Sequence, residues 1–308
     1  MLRCLALLFF FAWVVAAQGK KLGAVDFFAY DGVDIAALRT ALPVHAGEPF
    51  SVERVEEAKK GIRAAVEHRL GRPPSDIAVV CCDDHGDWIL FIGLRAQAAV
   101  YREAPRGRAR LPKELVQLDK DLMQAWMKAV EQGASSEEHS EGYALSSDPE
   151  LRSYQMKLHG MALRMEGKLF DVLASSSDDE HRAIAANALG YARQSPRQLR
   201  ALVEAAGDAS SGVRNNAVRA LGVLLESNPR LGDNVPARLF TDMVQSGTWT
   251  DRNKGAYVLL TLTASNRRAG LPEIAAAAGA LREMSQWQSS GHASAARTLL
   301  ERIAAAKP

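Results

Sequence analysis

The chain has 308 residues, of which 47% are hydrophobic, so it is long enough to bury one large core or two smaller ones. Its formal net charge is only +2, and neither end carries a long acidic or basic tail. Such a balance creates no overall field that would draw the protein to nucleic acid or to an anionic membrane, so we expect neither as a partner.

Residues 1–17 are predicted to be a secretory signal peptide. Arg3 supplies the positive start, an uninterrupted apolar run extends from Leu5 to Val15, and small residues follow to Ala17 at the cleavage position. The run is shorter than the ~20 residues of a membrane-spanning helix. We therefore expect a periplasmic or secreted protein with no membrane span after cleavage. An uncleaved N-terminal anchor is the alternative.

Residues 23–95 are predicted to form a small domain with the element order β-α-α-β-β. Aromatic and β-branched residues indicate the strands, apolar residues at helical spacing indicate the helices, and an Asp- and Gly-rich turn joins the last two strands as a hairpin. The predicted elements in chain order are Val25–Tyr30, Ile35–Leu42, Val52–Leu70, Ile77–Cys82 and Trp88–Leu94.

This region resembles a POTRA domain, the periplasmic module of outer-membrane assembly and secretion proteins. The residues that carry the resemblance are Tyr30–Gly32, Ala36–Arg39, Leu42–Val44 and Gly47–Phe50, together with the element order. The resemblance implies a three-stranded sheet whose edge can accept a strand from a protein partner. The sequence holds one copy rather than a tandem array, which disfavours a direct role in an assembly machine.

Two adjacent cysteines, Cys81 and Cys82, precede the hairpin turn. Successive side chains of a strand point to opposite faces, so we expect one free thiol in the core and one near the surface. A disulfide between the two, an intermolecular disulfide and a metal site are the alternatives. The metal site would use Cys82, Asp84, His85 and Asp87, but one short turn rarely supplies a complete ligand set. We predict no cofactor.

Residues 96–147 are predicted to connect two larger units. Residues 102–113 carry five Arg or Lys side chains against one acidic residue, which favours a solvated basic tether over a patch for an acidic partner. A helix is predicted over Pro112–Gln132, and residues 133–147 are Ser- and Glu-rich and are predicted to form a loop. The side chains predicted to face inward from this helix are Leu115, Leu118, Leu122, Trp126 and Val130.

Residues 148–308 are predicted to be a stack of helical repeats. The segment Arg182–Gly190 reappears as Arg214–Gly222, 32 residues later, with Arg, two Ala, Leu and Gly at matching positions. Residues 195–206 form a second amphipathic pattern, so one unit is a pair of helices whose apolar faces are buried by stacking. Diverged copies at 252–260 and 292–300 fit the terminal units of such a stack.

The segment Asp208–Gly222 resembles the second helix of a HEAT repeat and is similar to the short repeats of HEAT-like bilin lyases. The resemblance implies a right-handed α-solenoid, with the Arg-bearing helices on its concave side and Asp208 and Arg214 in a polar ladder between repeats. In the first copy, Ser176 stands at the position of Asp208. The expected fold class is therefore α+β, with a POTRA-like domain followed by an all-α HEAT-like solenoid.

The sequence contains none of the common signatures of hydrolases, zinc peptidases, nucleotide-binding loops or dinucleotide-binding folds. We therefore predict a non-catalytic scaffold that binds protein partners on the concave face and at the sheet edge. Candidate contacts, chosen because Arg and Trp dominate binding energy, are Arg182, Arg214, Arg219, Trp249, Arg252 and Trp287. Packing inside the fold is the alternative for both tryptophans. The alternative functions are an enzyme subunit of the HEAT-like lyase type and a metal- or redox-responsive element at Cys81–Cys82.

Overall fold

The computed structural model describes residues 20–95, 101–134, 136–264 and 271–306. These residues form a small three-stranded sheet with its own helices, followed by a longer series of helices, which confirms the α+β class. The predicted signal peptide, residues 1–17, lies outside the described residues.

The first part of the chain has the predicted order β-α-α-β-β. The sheet order is β1-β3-β2, with β1 parallel and β2 antiparallel to the central β3. The side chain of Asp34 caps α1 by accepting from Ala37 N at 3.1 Å, and α2 ends at Gly71, whose φ of 68° suits glycine. The elements are β1 (Leu22–Phe28), α1 (Ile35–Ala41), a 3-10 turn (Val52–Arg54), α2 (Val55–Leu70), β2 (Asp76–Cys81) and β3 (Trp88–Gly93).

Both faces of the sheet are covered. One face packs on α1 and α2, with Leu38, Ile62 and Leu90 buried between them. On the opposite face of the sheet, Phe28 and Phe91 pack into the core of the C-terminal helices. Because a sheet buried on both sides shares its core with each neighbouring layer, the N-terminal unit is packed onto the helical stack rather than tethered beside it.

The helix predicted after the linker is α3 (Lys113–Glu131), followed by the short strands β4 (Glu137–Glu138) and β5 (Leu145–Ser146). Its buried side is Leu115, Leu118, Leu122, Ala125 and Ala129. Trp126 was predicted to face inward but is 42% exposed. The buried stripe passes through Ala125, and the next residue points about 100° away from it on an α-helix.

The stretch predicted as a solvated tether lies against the helical stack over residues 101–111. Arg102 N donates to Gly207 O at 2.8 Å, and Ser177 N donates to Gly107 O at 2.8 Å. Leu111 is buried, and its backbone N–H donates to Nδ1 of His181 at 2.9 Å. The basic side chains of this stretch therefore sit on a segment whose backbone is fixed by the loops between the repeats.

The rest of the described chain is a stack of helix pairs. The helices α5, α7, α9 and α12 pack on one another in sequence, and we name them the central row; α6, α8 and α11 each pack against the next member of this row. The helices are α4 (Pro149–Ser175), α5 (Asp179–Leu189), α6 (Pro196–Ala205), α7 (Ser211–Ser227), α8 (Ala237–Val244), α9 (Trp249–Leu262), α10 (Leu271–Ala275), α11 (Ala278–Ser285) and α12 (Ser290–Ala305), with a 3-10 turn at Pro229–Asn234.

Small residues set the close spacing of the central row. Ala217 is fully buried in α7. A Cβ placed on Gly190 would lie 2.8 Å from Cβ of Ala220, and one on Gly222 would lie 2.7 Å from the ring of Tyr257. Both glycines end the repeated segment of their copy, so the repeated Gly marks the contact with the next repeat.

Candidate partner-binding groove

Three arginines predicted as partner contacts, Arg182, Arg214 and Arg252, are buried inside the stack, with 1–3% of each residue exposed. Each guanidinium donates to the backbone carbonyl six residues earlier, at distances of 2.9, 2.8 and 2.7 Å. Each also pairs with one carboxylate of the following repeat: Asp208, Asp251 and Glu283, respectively. Their role is therefore to join successive repeats from within.

The ladder implied by the HEAT resemblance is present, and it includes the first copy. The carbonyl of Ser176, not its side chain, accepts from Arg182, so a serine serves there as well as Asp208 does in the next copy. Asp208 itself binds Arg182 through both carboxylate oxygens, at 2.8 and 2.9 Å. At this position the carbonyl accepts from the arginine of its own copy, and Asp208 also supplies the carboxylate that pairs with Arg182 of the preceding copy.

The two predicted anchor tryptophans, Trp249 and Trp287, are also buried. Both pack on Phe91 of β3, with ring centroids 5.1 and 4.8 Å away. Trp287 Nε1 donates to Phe27 O at 3.1 Å, whereas Trp249 Nε1 has no acceptor among the described residues. These side chains fasten the sheet to the stack and present no surface to a partner.

Carboxylates from the sheet complete the N-termini of two helices in the stack. Asp76 accepts from Trp249 N at 2.8 Å, at the start of α9, where Thr248 makes no side-chain capping bond. Asp26 accepts from Gln288 N at 2.9 Å, just before α12. Burial raises the pKa of both carboxyl groups above the usual value for Asp, although these backbone bonds oppose the rise.

An open groove of about 570 Å³ runs between the hairpin of the sheet, α3 and the central row. The α3 side of the groove is an apolar wall formed by Trp126 and Val130, which distinguishes it from the hairpin side. The groove is lined by Lys20, Cys81, Cys82, Asp83, Gly86, Trp126, Val130, Glu131, Gly133, Glu137 and Arg219. Met123 and Met127 of α3 are also exposed, at 50% and 48%.

Of the six predicted contacts, Arg219 is the one that lines the groove. Its Nη2 donates to both oxygens of Glu137 on β4, at 2.7 and 2.6 Å, and 31% of its side chain is exposed. Glu137 raises the pKa of Arg219 against the effect of burial. The pair joins the β4–β5 hairpin to α7, and the side chain of Arg219 stays partly exposed.

Cys81 and Cys82 form a disulfide with each other, and both residues are half-buried at the groove. The expectation of two free thiols on opposite faces is wrong because β2 ends at Cys81, so Cys82 no longer follows the alternation of a strand. Nζ of Lys20 lies 3.7 and 3.8 Å from the two sulfurs. The described residues contain no group of three or more His, Cys, Asp or Glu arranged to hold a metal, so the candidate ligands Cys82, Asp84, His85 and Asp87 do not assemble there.

Residues 167–260 match a family of HEAT repeats. No curated protein matches the chain. The match covers α5 to α9, the same helices that contain the arginine ladder, and it supports a HEAT-like helical repeat protein. Proteins with such repeats generally bind other proteins. Among the helices that the structure describes, none has the length and apolar character to cross a membrane.

The sequence patterns did not indicate two residues that line the groove, Trp126 and Glu137. The spacing of Trp126 agreed with the side of α3 that was predicted to face inward. Glu137 lies in a stretch predicted to be a loop.

Proposed function

We propose that this protein is a non-catalytic scaffold that binds a protein partner in the groove between the hairpin, α3 and the central row. The observation that carries the proposal is the apolar wall of α3 at this groove. Trp126 lines the groove and is 42% exposed, and Met123 and Met127 of the same helix are 50% and 48% exposed, whereas the predicted anchors Trp249 and Trp287 are buried. Exposed Trp and Met beside a concave surface are typical of partner-binding sites.

The sheet edge at β2 is a second contact surface in this proposal. The element order and the sheet order β1-β3-β2 support a POTRA-like unit. The edge of β1 is covered, since Gly47 N donates to Leu22 O and Gln288 Nε2 donates to Val25 O. β2 borders β3 alone among the described strands, so its other edge can pair with an extended segment.

Export belongs to the same proposal and rests on the sequence of residues 1–17. N-terminal sequencing of protein recovered from an exporting host tests it. We expect the mature chain to begin near Gln18. Protein that keeps Leu5–Val15 and sediments with the membrane would show an uncleaved anchor instead.

The binding function is tested by co-purification of the exported protein with its partner. Trp126→Glu places a charge on the apolar wall of the groove, and Arg200→Glu changes an exposed residue of α6 as a control. We expect Trp126→Glu to lose the co-purifying protein while Arg200→Glu retains it, with equal thermal midpoints for both. Loss in both variants, or in neither, would contradict the proposed site.

A redox-responsive element is the second candidate, and one observation favours it. The Cys81–Cys82 disulfide lines the proposed groove beside the cation of Lys20, which would stabilise a thiolate released by reduction. The partner's affinity before and after treatment with a dithiol separates the two functions. A scaffold without redox response keeps its affinity, whereas a redox-responsive element changes it.

A further inference from the structure

The third arginine of the ladder is bound differently from the first two. Nε and Nη2 of Arg182 and of Arg214 both donate to a carboxylate, and Nη1 donates to the backbone carbonyl six residues earlier. In Arg252, Nε donates to the carbonyl of Ser246 at 2.7 Å, and Nη1 alone donates to a carboxylate, that of Glu283, at 3.0 Å. Among the described residues, Nη2 of Arg252 therefore lacks the carboxylate oxygen that the other two arginines bind.

Nη2 of Arg252 is open to a cavity, although only 3% of the side chain is exposed. Within the described ranges, the side-chain nitrogen and oxygen atoms that are closed to solvent and lack a partner are His139 Nε2 and Trp249 Nε1. Because Nη2 is not one of them, its N–H groups reach solvent. Arg252 lines a cavity of about 590 Å³ between the end of the sheet and the helices α8, α9 and α11. That volume is typical of small-molecule sites.

Glu283 is already engaged and does not supply the acceptor that Nη2 lacks. Its Oε2 accepts from Ala29 N at 2.8 Å as well as from Arg252, and its Oε1 accepts from Tyr30 N at 3.3 Å. Burial lowers the pKa of Arg252 despite the opposing charge of Glu283, so a further carboxylate would stabilise the guanidinium. Gly279, in the first turn of α11, lines the same cavity, and the backbone N–H groups of a first helical turn also favour an anion.

The other charged side chains of the cavity are Arg95 and Asp31, and both are exposed. Neither side chain forms an ion pair or a hydrogen bond with another residue in the part of the chain that the structure describes. Together with Arg252 and Glu283, they give the lining two positive and two negative charges. This balance suits a ligand that carries a cation as well as a carboxylate, and Asp31 is the unpaired anion that such a cation can contact.

We propose that this cavity binds a small amino acid, with its carboxylate on Nη2 of Arg252 and its ammonium group on Asp31. The lining residues Ala29, Gly279 and Ala280 are small and leave room for the side chain of the ligand. The inference goes beyond the proposed function, because the cavity and the groove at Trp126 have no lining residue in common.

Isothermal titration calorimetry of the full protein with three matched probes tests the ligand chemistry. L-leucine carries both charged groups, L-leucinamide lacks the carboxylate, and 4-methylpentanoate lacks the ammonium group. We expect leucine to bind at least about tenfold more tightly than either of the other probes. Asp31→Asn should remove most of the difference between leucine and 4-methylpentanoate. Absence of leucine binding, equal binding of leucinamide, or an unchanged preference in Asp31→Asn overturns the inference.

A blocking variant tests the location of the site without disturbing the ladder. Gly279→Trp places a large ring at the wall of the cavity, and a Cβ at this position meets no atom within 4 Å. Gly291→Trp is the matched control: Gly291 is likewise the second residue of its helix, a Cβ there also meets nothing within 4 Å, and it does not line the cavity. Gly279→Trp should weaken leucine binding at least about tenfold, whereas Gly291→Trp should leave it unchanged, with equal thermal midpoints. Equal affinity of the two variants for leucine would contradict the site.

Discussion

Arg214 and Asp251 form a fully buried, two-point ion pair that joins the second repeat to the third. Nε and Nη2 of Arg214 donate to the two carboxylate oxygens at 3.0 and 2.8 Å, with 3% and 0% of the side chains exposed. The hydroxyl of Tyr101 donates to the same carboxylate, and its ring stacks 3.6 Å from the guanidinium. This contact fixes the segment that leads into α3.

Arg214→Leu is expected to destabilise the fold by about 3–5 kcal/mol, because it leaves the carboxylate of Asp251 buried without its counter-ion. The double variant Arg214→Leu/Asp251→Leu should cost less than the sum of the two single variants. Urea denaturation followed by circular dichroism measures the coupling. Additive losses would show that the two residues do not depend on each other.

Gly190→Ala should destabilise the stack by about 1–3 kcal/mol, because the added methyl group meets Ala220 of the next repeat at 2.8 Å. Gly167→Ala is the matched control, since it lies in helix α4 with no atom within 4 Å of the added methyl group. Alanine favours a helix over glycine by up to ~1 kcal/mol, so the control should gain stability. Thermal unfolding compares the two, and a gain in both would contradict the close packing at Gly190.

Asp26→Asn is expected to be tolerated at neutral pH, because the amide oxygen can still accept from Gln288 N while the buried charge is removed. The pKa of Asp26 is raised in the folded state, so the wild type gains stability relative to this variant as the pH falls through that pKa. Urea midpoints of both proteins between neutral and acidic pH measure this. A wild-type advantage that grows with rising pH would mean that Asp26 is stabilised as an anion.

Cys81→Ser/Cys82→Ser should cost less than ~3 kcal/mol. A disulfide between adjacent residues closes almost no loop, so it restrains the unfolded chain little, and both side chains are half-buried. Circular dichroism and thermal melting of the double variant check this. Loss of folding would show that the hairpin depends on the disulfide.

Much of the fold could be predicted from the sequence because the signals were local. The spacing of apolar residues located the strands and helices of the N-terminal unit, and the repeated Arg182–Gly190 pattern located the central row. The HEAT resemblance implied the ladder for Arg214, but Arg182, Arg214 and Arg252 were also predicted as partner contacts, since periodicity does not show which polar residue has a buried partner.

The groove could not be predicted, because it is built from segments far apart in the chain. The hairpin with Cys81 and Cys82, Trp126 of α3 and Arg219 of α7 meet only when the sheet packs on the end of the stack. That packing depends on Asp26 and Asp76 reaching helix ends more than 150 residues away, and the sequence gives no sign of such a pairing.

Site-specific photo-crosslinking in the exporting host tests the binding site most directly. A benzoylphenylalanine in place of Trp126 keeps an aromatic ring in the groove, and one in place of Arg200 places the same group on the exposed side of α6. We predict a discrete crosslinked protein from position 126 and none from position 200. Equal crosslinking from both positions, or none from position 126, would contradict the groove as the partner-binding site.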